Sequence, residues 1–140
     1  MPIQFVLLPL FVEVGLTFAL LIWMGRARFA AVRRGDVRPH DVALREPNWP
    51  RHETQISNAY HNQLELPVLF YVLTILAIIT RHADVLFLVL AWAFVLSRLA
   101  HAYIFVTSNR LNLRFAAFSF GAVVLGVAWL ILALRLLLGL

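Results

Sequence analysis

The sequence predicts an all-α membrane protein in which one domain, residues 1–140, forms a four-transmembrane-helix bundle. Hydrophobic residues make up 62 % of the 140-residue chain, and its mean hydropathy is +0.84. The chain also contains four apolar segments of about 20 residues, a length that crosses the ~30 Å hydrocarbon core as a helix. A soluble domain of this length is much less hydrophobic.

The four spans are predicted at residues 3–24, 57–79, 85–107 and 115–138. Pro9 and Pro67 lie inside spans and are expected to kink them, because proline lacks the N–H that a helix interior requires. The first span has no positively charged segment before it and no small-residue cleavage site after it. We therefore expect it to be a retained helix and not a signal peptide.

The linkers differ in length and charge. Residues 25–56 form a long polar loop with seven arginines, residues 80–84 form a tight turn, and residues 108–114 are short and basic. Cytoplasmic loops carry the excess of basic residues, so the two basic loops are predicted in the cytoplasm and both termini outside. The arginines flank apolar spans, which indicates contact with lipid headgroups and no nucleic-acid partner. The chain has no cysteine, which excludes disulfides and thiolate metal sites; no metal is expected.

Polar residues interrupt the start of the second span. Asn58, His61, Asn62 and Glu65 fall within about 100° of one another on a helix and form one stripe. Polar groups inside a membrane usually face the bundle interior or a wet cavity, because contact with lipid is costly. Asn58 and His61 are expected to make helix contacts, whereas Asn62 and Glu65 are candidates for ligand recognition.

The third span carries Arg98 and His101 on one face, and Glu65 is the expected counter-ion of Arg98. Counted from the predicted cytoplasmic ends, these groups lie about 8 to 15 Å into the membrane. Basic residues form a rim above this layer: Arg26, Arg110 and Arg114. The arrangement fits a polyanionic, water-soluble ligand whose reactive end enters the membrane, while an apolar co-substrate arrives from the lipid.

Glu13 is a separate polar group, predicted about 18 Å from the cytoplasmic end of the first span. Two interpretations remain open for it. The first is a protonated carboxyl that is hydrogen-bonded between protomers, and the second is a residue that couples transport to protons.

The spans and polar pairs together resemble the MAPEG family, the membrane-associated proteins in eicosanoid and glutathione metabolism. The resemblance covers nearly the whole chain, including the long basic first loop. Its motifs are, in chain order, Arg26-x-Arg28, Asn62-x-x-Glu65, Arg98-x-x-His101 and Arg110-x-x-x-Arg114.

The resemblance implies a bacterial-type homotrimer, in the inner membrane, that binds glutathione as co-substrate between adjacent protomers. Its reaction would be glutathione transfer to a lipophilic electrophile or reduction of a lipid hydroperoxide. Arg114 would stabilise the glutathione thiolate, because a nearby cation lowers the pKa of a thiol. The residues that would bind or support glutathione are Arg26, Asn62, Glu65, Arg98, His101 and Arg110.

The chain departs from the prostaglandin synthase-like members at three positions where they carry hydroxyl groups. Phenylalanine stands at each of them, at Phe105, Phe115 and Phe118. These departures favour an alternative function, a non-catalytic membrane scaffold or lipophile-binding subunit.

Two further alternatives follow from single residues. Glu13 could serve a small proton-coupled exporter, although the long basic loop fits that class poorly. His61 and His101 could ligate haem in a four-helix bundle, although Arg98 and Glu65 make the surroundings polar for haem.

Overall fold

The computed structural model describes all 140 residues and is entirely helical, with no strand. Five α-helices follow the chain: α1 (Ile3–Arg33), α2 (Arg51–Asn62), α3 (Leu66–Ile79), α4 (Val85–Val106) and α5 (Leu111–Leu138). A short 3₁₀ helix, Pro39–Asp41, lies between α1 and α2. Helices α2 and α3 together form one candidate span, so four segments are long and apolar enough to cross a membrane. The predicted fold class is confirmed.

The helices at the basic loops are longer than the predicted spans. Helix α1 has 31 residues and measures about 46 Å, which exceeds the ~30 Å of a hydrocarbon core. It continues past residue 24 because no proline or left-handed glycine interrupts it before Gly35, whose φ is 78°. Helix α2 likewise begins at Arg51 instead of residue 57. The 25–56 loop of the prediction therefore shrinks to residues 34–50.

The second span is broken in the middle of its polar segment. Helix α2 ends at Asn62, and α3 begins at Leu66 with Pro67 in its first turn. Pro67 cannot donate a hydrogen bond to the carbonyl of Gln63, and its ring clashes with the backbone of the preceding turn, which favours a kink or a break there. The kink expected at Pro67 is therefore an interruption, with Glu65 at φ −101° and ψ −104°. Pro9, by contrast, lies inside α1 without ending it.

The bundle has two ends that differ in charge. Loop 34–50 and residues 107–110 lie at one end, which we call the basic end. Residues 80–84 and both termini lie at the other, which we call the turn end. There Asp84 caps α4, accepting a hydrogen bond from the Phe87 amide at 2.9 Å and another from Arg135 Nη1 at 2.8 Å. Partial burial alone would raise the pKa of Asp84, but these two donors outweigh it and lower that pKa.

Helix α4 is the centre of the bundle and packs against α1, α2 and α5. One apolar cluster fills the half toward the turn end, where the rings of Phe70 and Phe94 stack with centroids 5.0 Å apart. A smaller cluster lies toward the basic end. It comprises Leu20, Ala59, Ala102 and Phe105. Polar side chains are buried between the two clusters.

The outer surface of the bundle is apolar along its length. Large hydrophobic side chains are exposed on every long helix, among them Phe11 on α1, Ile75 on α3, Val89 on α4 and Phe120 on α5. A soluble monomer rarely exposes so much continuous apolar surface. Lipid or a partner protein must cover it, which agrees with an integral membrane protein.

Helix α5 packs tightly on α4 at Gly121, where an added methyl group would lie 2.5 Å from Ser97 Oγ. We expect Gly121→Ala to lower the stability of the detergent-purified protein by about 1–3 kcal/mol, because overpacking forces the helices apart. Thermal unfolding followed by circular dichroism measures this effect.

Gly126→Ala is the matched control, because no atom lies within 4 Å of the added methyl. Adding Ser97→Ala to Gly121→Ala should recover much of the loss, since it removes the clashing oxygen. Equal melting temperatures for Gly121→Ala and Gly126→Ala would show that this contact does not limit the packing.

Candidate functional site

A layer of polar side chains is buried between the two apolar clusters. Glu13, Gln63 and Arg98 are each 0 % exposed and His101 is 3 % exposed. We call these four residues the polar layer. Several of their atoms have no hydrogen-bond partner in the chain, namely both carboxylate oxygens of Glu13, Oε1 of Gln63, Nε and Nη1 of Arg98 and Nδ1 of His101. Buried polar atoms without partners are rare and often mark functional sites.

Arg98 connects the polar layer to the broken second span. Its Nη2 donates a hydrogen bond to the backbone carbonyl of Asn62 at 3.2 Å. The last carbonyls of a helix lack their usual helical partners. The Asn62 carbonyl, where α2 ends, accepts from Arg98 and also from the Glu65 amide at 3.4 Å. The guanidinium also lies 5.8 Å from the centroid of the Phe118 ring. Arg98 thus holds α2, α4 and α5 in contact at one point.

The ion pair predicted between Glu65 and Arg98 is not formed. The four salt bridges of the chain involve other residues, and Glu65 is exposed. The expectation assumed one continuous helix, in which the stripe from Asn58 to Glu65 would share a face. The interruption at residues 63–65 ends that periodicity and turns Glu65 outward. The side chain of Asn62 bonds within α2 instead, donating from Nδ2 to the Asn58 carbonyl at 3.0 Å.

Aromatic rings and cations meet at the basic end of α4 and α5. The ring of His101 lies 5.1 Å from that of Phe105 and 6.0 Å from that of Phe118. Arg114, in the first turns of α5, lies 4.2 Å from the Phe105 centroid and donates from Nη1 to Asn109 Oδ1 at 2.6 Å. Two of the phenylalanines that distinguish this sequence are therefore walls of the cluster.

A polar cavity of about 370 Å³ opens between loop 34–50 and the start of α2. We call it the loop cavity. Arg28 crosses its floor, donating from Nη2 to Ser57 Oγ at 2.8 Å and stacking 4.9 Å from the Trp49 centroid. The residues that line it are Arg28, Val42, Arg45, Glu46, Pro47, Trp49, Thr54, Ser57, Asn58 and His61. Asn58 and His61, expected as helix contacts, thus face a cavity instead.

The remaining predicted site residues lie away from these groups in the single protomer. Arg26 is exposed on the outer side of α1, and Arg110 is exposed before α5. Arg98, His101 and Arg114 are brought together, and Asn62 joins them through its backbone. Arg26, Glu65 and Arg110 are not part of that cluster.

The surroundings of Glu13 and of the two histidines disagree with two earlier interpretations, the carboxyl between protomers and the shared haem. Glu13 is enclosed inside one protomer, so the expectation of a carboxyl between protomers is wrong. His61 lines the loop cavity, whereas His101 is packed between phenylalanine rings. The two imidazoles have separate surroundings, which argues against a shared haem.

A comparison with family models matches residues 6–134 to the MAPEG family. The chain belongs to the MAPEG family. Neither a curated protein nor a solved structure matches this MAPEG protein. The match includes both basic loops and most of each span, and the residues of the polar layer and of the loop cavity lie within it.

No role was predicted from the sequence for Arg28, Arg45 or Trp49, and Arg28 entered only as part of the Arg26-x-Arg28 motif. A signal was present for Arg28, because residues 26 and 28 lie about 200° apart on a helix and only one can face the bundle. To predict which of the two faces the bundle, one must know that α1 continues past residue 24 and includes both residues. Arg45 and Trp49 lie in an irregular loop, where no periodicity predicts side-chain direction.

We expect Arg28→Ala to release loop 34–50, because it removes both the Ser57 hydrogen bond and the Trp49 stacking. Trypsin cleavage after Arg45, followed by mass spectrometry of protein in detergent, should become several-fold faster. Hydrogen bonds to charged groups contribute about 1.5–3 kcal/mol and cation–π contacts about 0.5–2 kcal/mol.

Arg26→Ala is the matched control, since it removes an exposed arginine on the opposite side of α1 from Arg28. Its cleavage rate after Arg45 should equal that of the unmodified protein. If both variants were cleaved at the same rate, Arg28 would have no special part in holding the loop.

Proposed function

We propose that this MAPEG protein is a glutathione-dependent transferase or peroxidase that acts on lipophilic electrophiles at the basic end of the bundle. The observation that carries the proposal is the position of Arg114. Its guanidinium is half-buried beside Phe105 and His101 and has one hydrogen-bond partner, Asn109. The group keeps donors for a ligand at the boundary between polar and apolar surroundings.

Arg114 suits the stabilisation of a thiolate. A cation close to a thiol lowers the pKa of that thiol and raises the fraction of the nucleophilic thiolate. The effect is greater where aromatic rings exclude water, because charges interact more strongly in a less polar medium. The thiolate sulfur would then form a carbon–sulfur bond with the electrophile, which either expels a leaving group or takes up a proton after addition to a double bond. With a hydroperoxide it would attack the terminal oxygen and break the O–O bond, which releases the alcohol and leaves a sulfenic acid. A second glutathione would convert that sulfenic acid to the disulfide and water.

The lipophilic substrate has a direct route to Arg114 from the bilayer. Leu111 and Phe115, on the outer side of α5, are 67 % and 69 % exposed. Both lie within one helical turn of Arg114 and present apolar surface to the lipid. The hydroxyl groups absent at Phe105, Phe115 and Phe118 are not needed for attack by a thiolate that a guanidinium already stabilises.

Glutathione also carries two carboxylates and an ammonium group, which need partners at some distance from the sulfur. Arg28 and Arg45 in the loop cavity could receive a carboxylate, since guanidinium groups bind carboxylates with paired hydrogen bonds. Glu65, exposed near the break, suits the ammonium group. Asn62 would support this end of the ligand, and His101 and Arg98 would support the cluster around the sulfur.

A homotrimer would give the exposed cations a role. Arg26 and Arg110 lie on outer faces of the protomer, where only a neighbouring copy could place them near another protomer's site. We include the trimer in the proposal, with glutathione between adjacent protomers, the basic end in the cytoplasm and both termini outside a bacterial inner membrane.

A second function is favoured by the three phenylalanines. A protein that binds a lipophile without catalysis needs aromatic walls and no hydroxyl group, and Phe105 and Phe118 provide such walls around His101. This function requires saturable binding of a lipophile and no glutathione-dependent reaction with generic electrophiles.

We expect the detergent-purified protein to bind glutathione by calorimetry, and Arg114→Ala to abolish turnover of a generic electrophile. The reason is that neutral glutathione reacts far more slowly than its thiolate. Glu65→Ala should weaken glutathione binding, because the ammonium group loses its charge partner. Arg114→Ala should leave the helical content and the oligomer unchanged.

Arg81→Ala, which changes an exposed arginine at the turn end, is the control and should keep full activity. Full activity in Arg114→Ala would refute the role of Arg114. Absence of any glutathione binding, together with saturable binding of a lipophile, would select the non-catalytic function.

A further inference from the structure

Glu13 is a fully buried carboxylate for which the proposed site has no use. It lies in α1, is 0 % exposed, and neither carboxylate oxygen has a hydrogen-bond partner in the chain. Its neighbour Thr17 donates to the Glu13 backbone carbonyl at 3.0 Å and not to the side chain. A buried carboxylate without a partner is costly by several kcal/mol, so its environment must supply a cation or a proton.

Arg98 is the cation that the fold brings to Glu13. Helices α1 and α4 pack against each other, and both side chains belong to the polar layer. Glu65 is exposed, where solvent screens its charge, whereas Glu13 and Arg98 are both 0 % exposed in the same layer.

The hydrogen-bonding groups of the two residues complement each other. Arg98 uses Nη2 for the Asn62 carbonyl and keeps Nε and Nη1 free, while Glu13 keeps two acceptor oxygens free. Two donors and two acceptors of opposite charge are therefore without partners in one buried layer, which is what a direct or water-bridged pair requires. Buried waters typically make about three hydrogen bonds to such groups.

We propose that Glu13 is the counter-ion of Arg98 and, through Arg98, a positioning residue for the break between α2 and α3. With its charge compensated by Glu13, Arg98 is free to use Nη2 as a fixed donor to the end of α2. The bond to the Asn62 carbonyl then fixes where Asn62 and Glu65 leave the helix. The guanidinium of Arg98 therefore positions the backbone of the site, and the arginines nearer the surface bind the anionic groups of the ligand.

The counter-ion part of the inference does not depend on what the protein binds, whereas the positioning part rests on the proposed function. If Glu65 and Asn62 hold one end of glutathione, then loosening Arg98 displaces both of them. Glu13→Gln should therefore weaken glutathione binding without touching the ligand.

A double-mutant cycle tests the counter-ion. Melting temperatures are measured for the detergent-purified full chain with Glu13→Gln, with Arg98→Met and with both changes. Removing one partner leaves an uncompensated buried charge, so each single variant should be clearly destabilised. The double variant should be more stable than the sum of the two losses predicts, because no charge is left unpaired.

Glu65→Gln combined with Arg98→Met is the matched control cycle, and its losses should add. Additive losses in the Glu13 cycle, or coupling only in the Glu65 cycle, would overturn the proposal. Glu13→Gln alone could fail to fold. In that case, a folded Glu13→Gln/Arg98→Met variant supports the ion pair. If the double variant fails to fold although Arg98→Met alone folds, the ion pair is refuted.

Calorimetry with glutathione tests the positioning. Glu13→Gln should raise the Kd on the order of tenfold, and Glu13→Asp, which keeps the charge, should restore part of the affinity. The cycle could show that Glu13 and Arg98 are coupled in stability while Glu13→Gln leaves the Kd for glutathione unchanged. That result would overturn the positioning role and keep Glu13 as the counter-ion of Arg98. No binding by the unmodified protein would instead overturn the proposed function, while the thermal cycle still decides the ion pair.

Discussion

The buried guanidinium of Arg98 is the constraint on which the rest of the bundle depends. A positive charge at 0 % exposure between two apolar clusters must be matched by acceptors, because the cost of an unmatched buried charge rivals the whole stability of a domain. The fold supplies a backbone carbonyl at the end of α2, an aromatic face on α5 and a carboxylate on α1. Three neighbouring helices are thereby arranged around one side chain of α4.

The interruption of the second span follows from the same requirement. Pro67 has no N–H to donate to the Gln63 carbonyl, so the break leaves backbone carbonyls without their usual helical partners. The Asn62 carbonyl at the end of α2 accepts from the Glu65 amide at 3.4 Å and from Arg98 Nη2 at 3.2 Å. Inside a membrane such freed groups are tolerated only where the protein satisfies them. The break and the arginine therefore satisfy each other, and the polar segment from Asn58 to Glu65 can change direction at the level of the polar layer.

Hydropathy was sufficient to predict the fold class, because four runs of apolar residues leave few alternatives for the backbone in lipid. Polar residues inside an apolar span were also sufficient to select Arg98 and His101, whereas the role of Arg114 came from the family resemblance. The structure brings the three residues together. The partner of Arg98 could not be predicted, because a periodicity argument carried Glu65 across a break whose extent Pro67 alone does not specify. The length of α1 was missed for a related reason: hydropathy ends where arginines begin, but a helix ends only where its backbone is interrupted, here near Gly35. Arg28 was overlooked as a consequence.

The three arginines with buried or half-buried guanidinium groups near the site differ in whether another group neutralises their charge. Arg98 is enclosed, is bonded to the Asn62 carbonyl and, in our proposal, has Glu13 as its counter-ion, so an incoming anion would have to compete with that carboxylate. Arg28 and Arg114 are half-buried, each with one side-chain hydrogen bond and one aromatic face. An aromatic face orients a guanidinium without neutralising it, because the ring carries no net charge. These two arginines therefore have a fixed position and a charge that no acidic side chain neutralises. Recognition of an anionic ligand requires both properties.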